Sequence, residues 1–421
     1  MTPSPLDRRS LFLAALSTVV EWYDFTLFLY LATLLSRLFF TGSDALLVTL
    51  GGFAVAYLMR PVGAMVFGHY GDRHGRRATL LASMGLMTAA MLATAMLPTQ
   101  AQIGPWAGVL LLALRCVMGF AVGGEYTGVV AYLLEGAPAH RRGLVTSLAA
   151  ATSEVGALLA AGLSALTVSL LPTPDLESWG WRLPFLFGAA MAGLILLARA
   201  AMRESPAFEA QKAAGMLVRA PILHTLRHHR TGVLRGFAIS ALGSITYYVG
   251  ITYVPVYLTA TGGMDEGAAL RLATVAALVV ILVTPIIGWL SDKSGRRPVL
   301  VGLAVLSAVL PYTLFALLAG ADEAAALTGA LILAALAGGV SAVGAVATAE
   351  QVPAEGRLSG LALGATTATA LFGGLTPWLA QWLTERSGAA SAPGLMIALV
   401  ALAVLPVLLR LPETARQGAE V

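Results

Sequence analysis

Apolar residues run in long blocks along this chain, and polar residues collect in the short gaps between them. Twelve blocks stand out: 11–37, 45–67, 78–97, 105–134, 143–171, 181–200, 232–260, 268–290, 298–319, 325–349, 358–384 and 391–410. Each approaches or exceeds the roughly 20 residues that a helix needs to cross a bilayer core. Barrel strands are about half that length and alternate in character, so a barrel does not fit. The pattern predicts an all-α polytopic membrane protein with twelve transmembrane helices. The longest polar gap splits them into two six-helix bundles: residues 1–200, a cytoplasmic linker 201–231, and residues 232–421. Glu21 and Asp24 interrupt the first block and no small-residue cleavage site follows it, so it reads as a helix and not as a secretory signal.

Composition sharpens this reading. Charged residues make up 11% of the chain and hydrophobic residues 58%; a soluble domain carries about 25% charged residues. Of the 26 Lys and Arg, 20 fall in or near alternate gaps counted from the N-terminus, four (Arg37, Arg182, Arg271, Arg386) fall in or near the other gaps, and Arg60 and Arg115 lie deep inside blocks. The positive-inside rule then places both termini in the cytoplasm, with the protein in the inner (plasma) membrane. The basic residues sit at helix ends and form no stripe interleaved with aromatics, so no nucleic-acid partner is expected. The single cysteine, Cys116, cannot form a disulfide framework within the chain or a cysteine metal site. His224 and His228 are one turn apart, with His229 beside them, but the ligand set is incomplete; a surface helix is the simpler reading and no metal is expected. No Gly-rich phosphate cradle and no nucleophile–base set is visible, so neither an ATP-driven pump nor an enzyme is predicted, and no cofactor.

The chain repeats itself. Residues 68–77 read GHYGDRHGRR and residues 288–297 read GWLSDKSGRR, with Gly, Asp, a basic residue, Gly, Arg and Arg in matching places. Glu135, Pro138 and Arg142 match Glu350, Pro353 and Arg357. Glu204, after the sixth block, matches Glu413, after the twelfth. Matches in the same order at equivalent positions mean that a six-helix unit was duplicated, and two like halves around a central path are the architecture of alternating-access carriers.

The doubled loop resembles the signature loop of the major facilitator superfamily, over the whole chain. Glu21-Trp22-Tyr23-Asp24-Phe25, the stretch RCVMGFAVGGEYTG (115–128) and Trp179-Gly180-Trp181-Arg182 are similar to the metabolite–proton symporter family. That resemblance implies proton-coupled import of a small polar organic solute across a lipid bilayer, by a protein expected to act as a monomer. GFAVGGEYTG (119–128) and ITYYVGITYVPVYL (245–258) look most like the proline/betaine branch, which favours a zwitterionic osmolyte. The alternative is a carboxylate of citrate, 2-oxoglutarate or shikimate type. A drug–proton exporter is more distant, because block five has no proline before Pro172.

Ionisable side chains inside blocks cost about 2.5–3.5 kcal/mol each on insertion scales and need a partner, a cavity or a function. Glu21 and Asp24 share one helix face. Two close carboxylates in an apolar site do not both ionise, so the pair is a candidate proton carrier, with Glu125 as a second. A salt bridge to Arg60 or Arg115 is the structural alternative. Arg115 suits a substrate carboxylate or else a counterion role for Asp24, and both stay open. Tyr23, Phe25, Glu125, Tyr126, Glu154, Tyr247, Tyr248 and Trp378 complete the expected substrate site, the tyrosines because aromatic faces hold ammonium groups. Arg60, before Pro61, reads as architectural. The resemblance also implies a cytoplasmic ion-pair latch of Asp72, Arg76, Glu135, Arg142 and Glu204 with Asp292, Arg296, Glu350, Arg357 and Glu413.

Overall fold

A computed structural model describes residues 8–74, 76–123, 130, 134, 137, 139–200, 227–320, 322–352 and 360–415. Glu125, Tyr126, Glu135, Glu204, His224 and Arg357 lie outside the described residues, as do the side chains of Asp72 and Arg76.

The described chain is helical throughout, without strands. The first half comprises α1 (Arg8–Tyr30), α2 (Ala32–Phe39), α3 (Ala45–His74), α4 (Arg76–Ala95), α5 (Trp106–Ala121), α6 (Arg142–Leu170) and α7 (Arg182–Ala200). The second comprises α8 (Arg230–Tyr247), α9 (Val254–Ala260), α10 (Glu266–Ser294), α11 (Arg296–Leu318), α12 (Glu323–Glu350), α13 (Thr376–Ser387) and α14 (Ala392–Leu409). The chain bends by 64° between α1 and α2 and by 43° between α8 and α9. Counting each bent pair as one rod, and adding the π-helical turns that precede α13, the described residues form twelve rods, one per apolar block. Seven described helices are long and apolar enough to cross a membrane, nine if each bent pair is one span.

Local chemistry accounts for the breaks. A π-helical turn over Tyr248–Thr252 joins α8 to α9, and Pro255 in the first turn of α9 has no N–H to give back to it. Two more π-helical turns, Ala362–Thr366 and Ala370–Gly374, precede α13, which opens with Thr376-Pro377. Such turns often mark functional segments of helices. The repeated loop breaks the chain at equivalent points: α3 ends at His74 and α4 starts at Arg76, while α10 ends at Ser294 and α11 starts at Arg296. Between the latter, Gly295 has φ +101°, which favours glycine, and a Cβ there would lie 2.5 Å from the Glu413 carboxylate.

Large apolar side chains such as Leu170, Leu194, Leu282 and Val309 cover the outer surface, which is the arrangement a lipid environment requires. Glycines set the closest helix contacts. A Cβ on Gly119 of α5 would lie 1.8 Å from the Ala56 carbonyl oxygen of α3, and one on Gly63 would lie 1.9 Å from that of Phe120. The halves meet where α6 runs along α10 and where α3 meets the segment leading into α13. We call the end bearing the repeated loops the loop end and the opposite one the far end.

Candidate functional site

A cavity of about 150 Å³ lies between the halves, lined from α1, α3, α6, α8, α12 and the π-helical segment before α13. Its polar lining includes Glu21, Arg60, Ser153, Glu154, Ser244 and Thr369. Trp22, Tyr247 and Tyr248 also line it. They form a contiguous aromatic wall: Trp22 meets Tyr247 edge-on at 5.1 Å between ring centroids, Tyr247 meets Tyr248 at 5.3 Å, and Tyr248 meets Tyr57 at 5.3 Å. The Tyr57 and Tyr248 hydroxyls are hydrogen-bonded to each other across the two halves. Gly373 and Gly374 make room for this pair, since a Cβ on either would strike Tyr248 or Tyr57.

The buried acids and bases form two separate pairs. Asp24 of α1 accepts a hydrogen bond from Arg115 of α5 at 2.8 Å, and Arg115 also donates to Thr94 of α4 at 3.2 Å. Both members are buried, and neither lines the cavity. Glu21 of α1 pairs with Arg60 of α3 at 3.1 Å, and both line the cavity. Arg60 lies over the rings of Phe25 and Tyr57, its guanidinium carbon 4.1 and 4.2 Å from their centroids, and the two rings meet each other edge-on at 4.9 Å. The shared helix face expected for Glu21 and Asp24 is therefore present, but each carboxylate has its own arginine. Of the two roles open for Arg115, the geometry is that of a counterion to Asp24. Glu154 of α6 accepts a hydrogen bond from the Tyr247 hydroxyl at 3.3 Å and is 4% exposed.

Other expected site residues lie elsewhere. Tyr23 is buried within the first half, donating to the Pro184 carbonyl at 2.7 Å. Phe25 sits beneath Arg60. Trp378 stacks with Trp382 and approaches Gly51, away from the cavity lining. Trp22, Tyr57 and Arg60 were not expected in the site. The available signal was that Tyr57 and Arg60 are three residues apart in an otherwise apolar block, hence on one helix face.

A second cluster forms at the loop end. The Asp292 carboxylate accepts the Gly143 and Leu144 amides at 2.8 and 2.9 Å, so a second-half acid caps α6 of the first half. Arg296 pairs with Asp292 at 2.8 Å and with Glu350 at 3.4 Å. Glu413 accepts the Arg296 and Arg297 amides at 2.9 and 3.1 Å, capping α11, and Thr414 donates to Glu350. Asp292, Arg296, Glu350 and Glu413 thus form one network, with Arg142 at the α6 terminus it holds.

A model of the family described as "Sugar (and other) transporter" matches residues 10–216 and again 209–420. The chain belongs to this family. It is a multi-pass membrane transporter and not an enzyme. It is 32% identical to the ectoine/proline transporter ProP of Corynebacterium glutamicum, over 90% of this chain and 78% of that protein. It is 33% identical to the alpha-ketoglutarate permease of Escherichia coli, over 87% of this chain and 85% of that one. The fold matches a D-xylose–proton symporter with a TM-score of 0.74 at 20% identity, covering 97% of this chain and 98% of that one. The twelve-helix major facilitator architecture is thereby established.

Proposed function

We propose that this transporter is a proton-coupled symporter that imports a zwitterionic osmolyte such as proline or betaine by alternating access. The observation that carries this reading is the charge balance of the cavity wall. Among the described lining residues Glu21 and Glu154 face one cation, Arg60, beside the aromatic wall of Trp22, Tyr247 and Tyr248. A tricarboxylate would favour several cations. A molecule with one carboxylate and one ammonium suits an arginine at one side and a carboxylate with aromatic faces at the other. The likeness to a named ectoine/proline transporter supports the same class.

Glu21 and Asp24 are the proposed proton carriers within the described residues, with Glu125 a further candidate. The cargo site combines Glu154, Tyr247 and Tyr248, with Phe25 supporting it from beneath Arg60. Tyr23, Arg115, Trp378, Glu125 and Tyr126 have no assigned contact with cargo. Residues 1–200 and 232–421 act as rocking halves joined by 201–231. The loop end faces the cytoplasm, both termini with it, in the inner membrane of a cell, and the protein works as a monomer. The Asp292–Arg296–Glu350–Glu413 network is the latch that opens as the halves rock.

A second reading is carboxylate uptake, favoured by the likeness to the alpha-ketoglutarate permease. Uptake into proteoliposomes separates the two. An inward proton gradient should accumulate betaine or proline, with 2-oxoglutarate and citrate competing weakly. Accumulation of the dicarboxylate alone would select the second reading. If no solute accumulates under the gradient, proton coupling is refuted.

A further inference from the structure

Arg60 is the cation on the cavity wall among the described residues, and its surroundings are unusual for a residue with a purely architectural part. The guanidinium rests on the Phe25 and Tyr57 rings, whose faces attract it as a cation. Glu21 engages one terminal nitrogen at 3.1 Å. The buried Nε has no acceptor among the described residues. A guanidinium has five donors in a planar fork suited to two-point binding of a carboxylate. Tyr57, the platform beneath it, is hydrogen-bonded to Tyr248 of the other half.

We propose that Arg60 anchors the carboxylate of the cargo and that Glu21 is the group this carboxylate displaces. This deepens the symport reading and rests on it. When cargo binds, its carboxylate takes the donors that Glu21 held, and the two rings keep the guanidinium in place. Glu21, whose side chain is 1% exposed, then loses the positive charge of Arg60 in a buried site. It stays there by taking one proton from the compartment open to the cavity. Charge is conserved: a Glu21 carboxylate on Arg60 is replaced by a cargo carboxylate on Arg60 and a neutral Glu21. The exchange ties one proton to one cargo carboxylate, because the single positive charge of Arg60 balances only one of the two carboxylates.

The surrounding groups are compatible with this exchange. Asp24 on α1 is occupied by Arg115 of α5 and lies off the cavity. Glu154 of α6 accepts the Tyr247 hydroxyl across the seam, and Tyr57 of α3 and Tyr248 are the further titratable groups around the pair among the described residues. Glu154 with Trp22, Tyr247 and Tyr248 receives the cationic end of the cargo.

The test uses the full chain in proteoliposomes with labelled glycine betaine, L-proline and 2-oxoglutarate as probes, all of which carry a carboxylate. For whichever probe the wild type accumulates, binding should weaken about tenfold between about pH 6 and about pH 8 as Glu21 competes for Arg60. Glu21→Gln should bind about equally at both, as tightly as the wild type at the lower pH. It should still exchange internal for external probe and lose accumulation driven by the proton gradient. Arg60→Gln should bind at least about tenfold more weakly at both pH values. The proposal is overturned if Arg60→Gln binds within about twofold of the wild type, or if Glu21→Gln still accumulates probe against its gradient. The isosteric Glu21→Gln variant decides alone should Arg60→Gln not fold. A wild type that accumulates none of the probes refutes the symport reading itself, an outcome distinct from failure of these variants.

Discussion

Residue by residue, the intramembrane charges divide into a pair packed away from the cavity and a pair on its wall. Asp24 and Arg115 are 0% and 2% exposed and hold each other with help from Thr94. Removing one partner strands the other in a low-dielectric interior, which costs about 3–5 kcal/mol. Asp24→Asn should therefore lower thermal stability in detergent clearly, and the double change Asp24→Leu with Arg115→Met should recover most of the loss. A double variant no more stable than Asp24→Asn would contradict this account. The sequence showed that these residues needed partners. It could not show which, because Glu21 and Asp24 share one face and Arg60 and Arg115 lie on two different helices. Arg60 was underrated for the same reason. Its neighbour Pro61 offered an architectural explanation, and the Phe25 ring it rests on comes from another helix.

Among the helices, glycine sets how closely the rods approach. A Cβ on Gly119 would sit 1.8 Å from a backbone oxygen, which cannot give way as a flexible side chain can. Gly119→Ala and Gly63→Ala should each push α3 and α5 apart, destabilising the protein by about 1–3 kcal/mol, the scale of an overpacked core. Gly85→Ala and Gly162→Ala, where no atom lies within 4 Å, should be neutral or slightly stabilising because alanine is the better helix former. Melting curves of the four variants check the contrast, and equal effects would refute it. Gly119 in block four makes the close contact of α5 with α3. Phe372-Gly373-Gly374 lies in a π-helical turn where the absent glycine side chains admit Tyr57 and Tyr248.

At the scale of the whole molecule, charged side chains join the halves at both ends. At the loop end Asp292 caps α6. At the far end Arg37 of α2 makes a two-point contact with Glu266 of α10 at 2.8 and 3.2 Å, and also meets Glu177 at 3.5 Å. Arg37 is well exposed, so the contact is worth about 0.2–1 kcal/mol and salt weakens it. Even so, such an energy shifts a two-state equilibrium up to about fivefold. Glu266→Gln should favour the state open at the far end. In a chain carrying Ser244→Cys and Cys116→Ala, an impermeant maleimide applied from that side should label the cavity about two- to fivefold faster. Reversing both charges, Arg37→Glu with Glu266→Arg, should restore the original rate. Unchanged labelling in Glu266→Gln would show that the pair does not hold the far end shut.

The order of apolar blocks, their lengths and the duplicated loop settled the helical architecture, because bilayer crossing and internal repetition are written along the chain itself. The network of Asp292, Arg296, Glu350 and Glu413 was legible for the same reason, since each acid recurs at a matched place in the other half. The pairing of charges and the identity of the cavity wall were decided only by tertiary structure. Helix periodicity fixes which residues share a face, whereas the rotation and crossing of each helix against its neighbours determine what that face meets. That is why Arg115 ends beside Asp24 away from the cavity, while Arg60, resting on two rings, lies on the wall of the space between the halves.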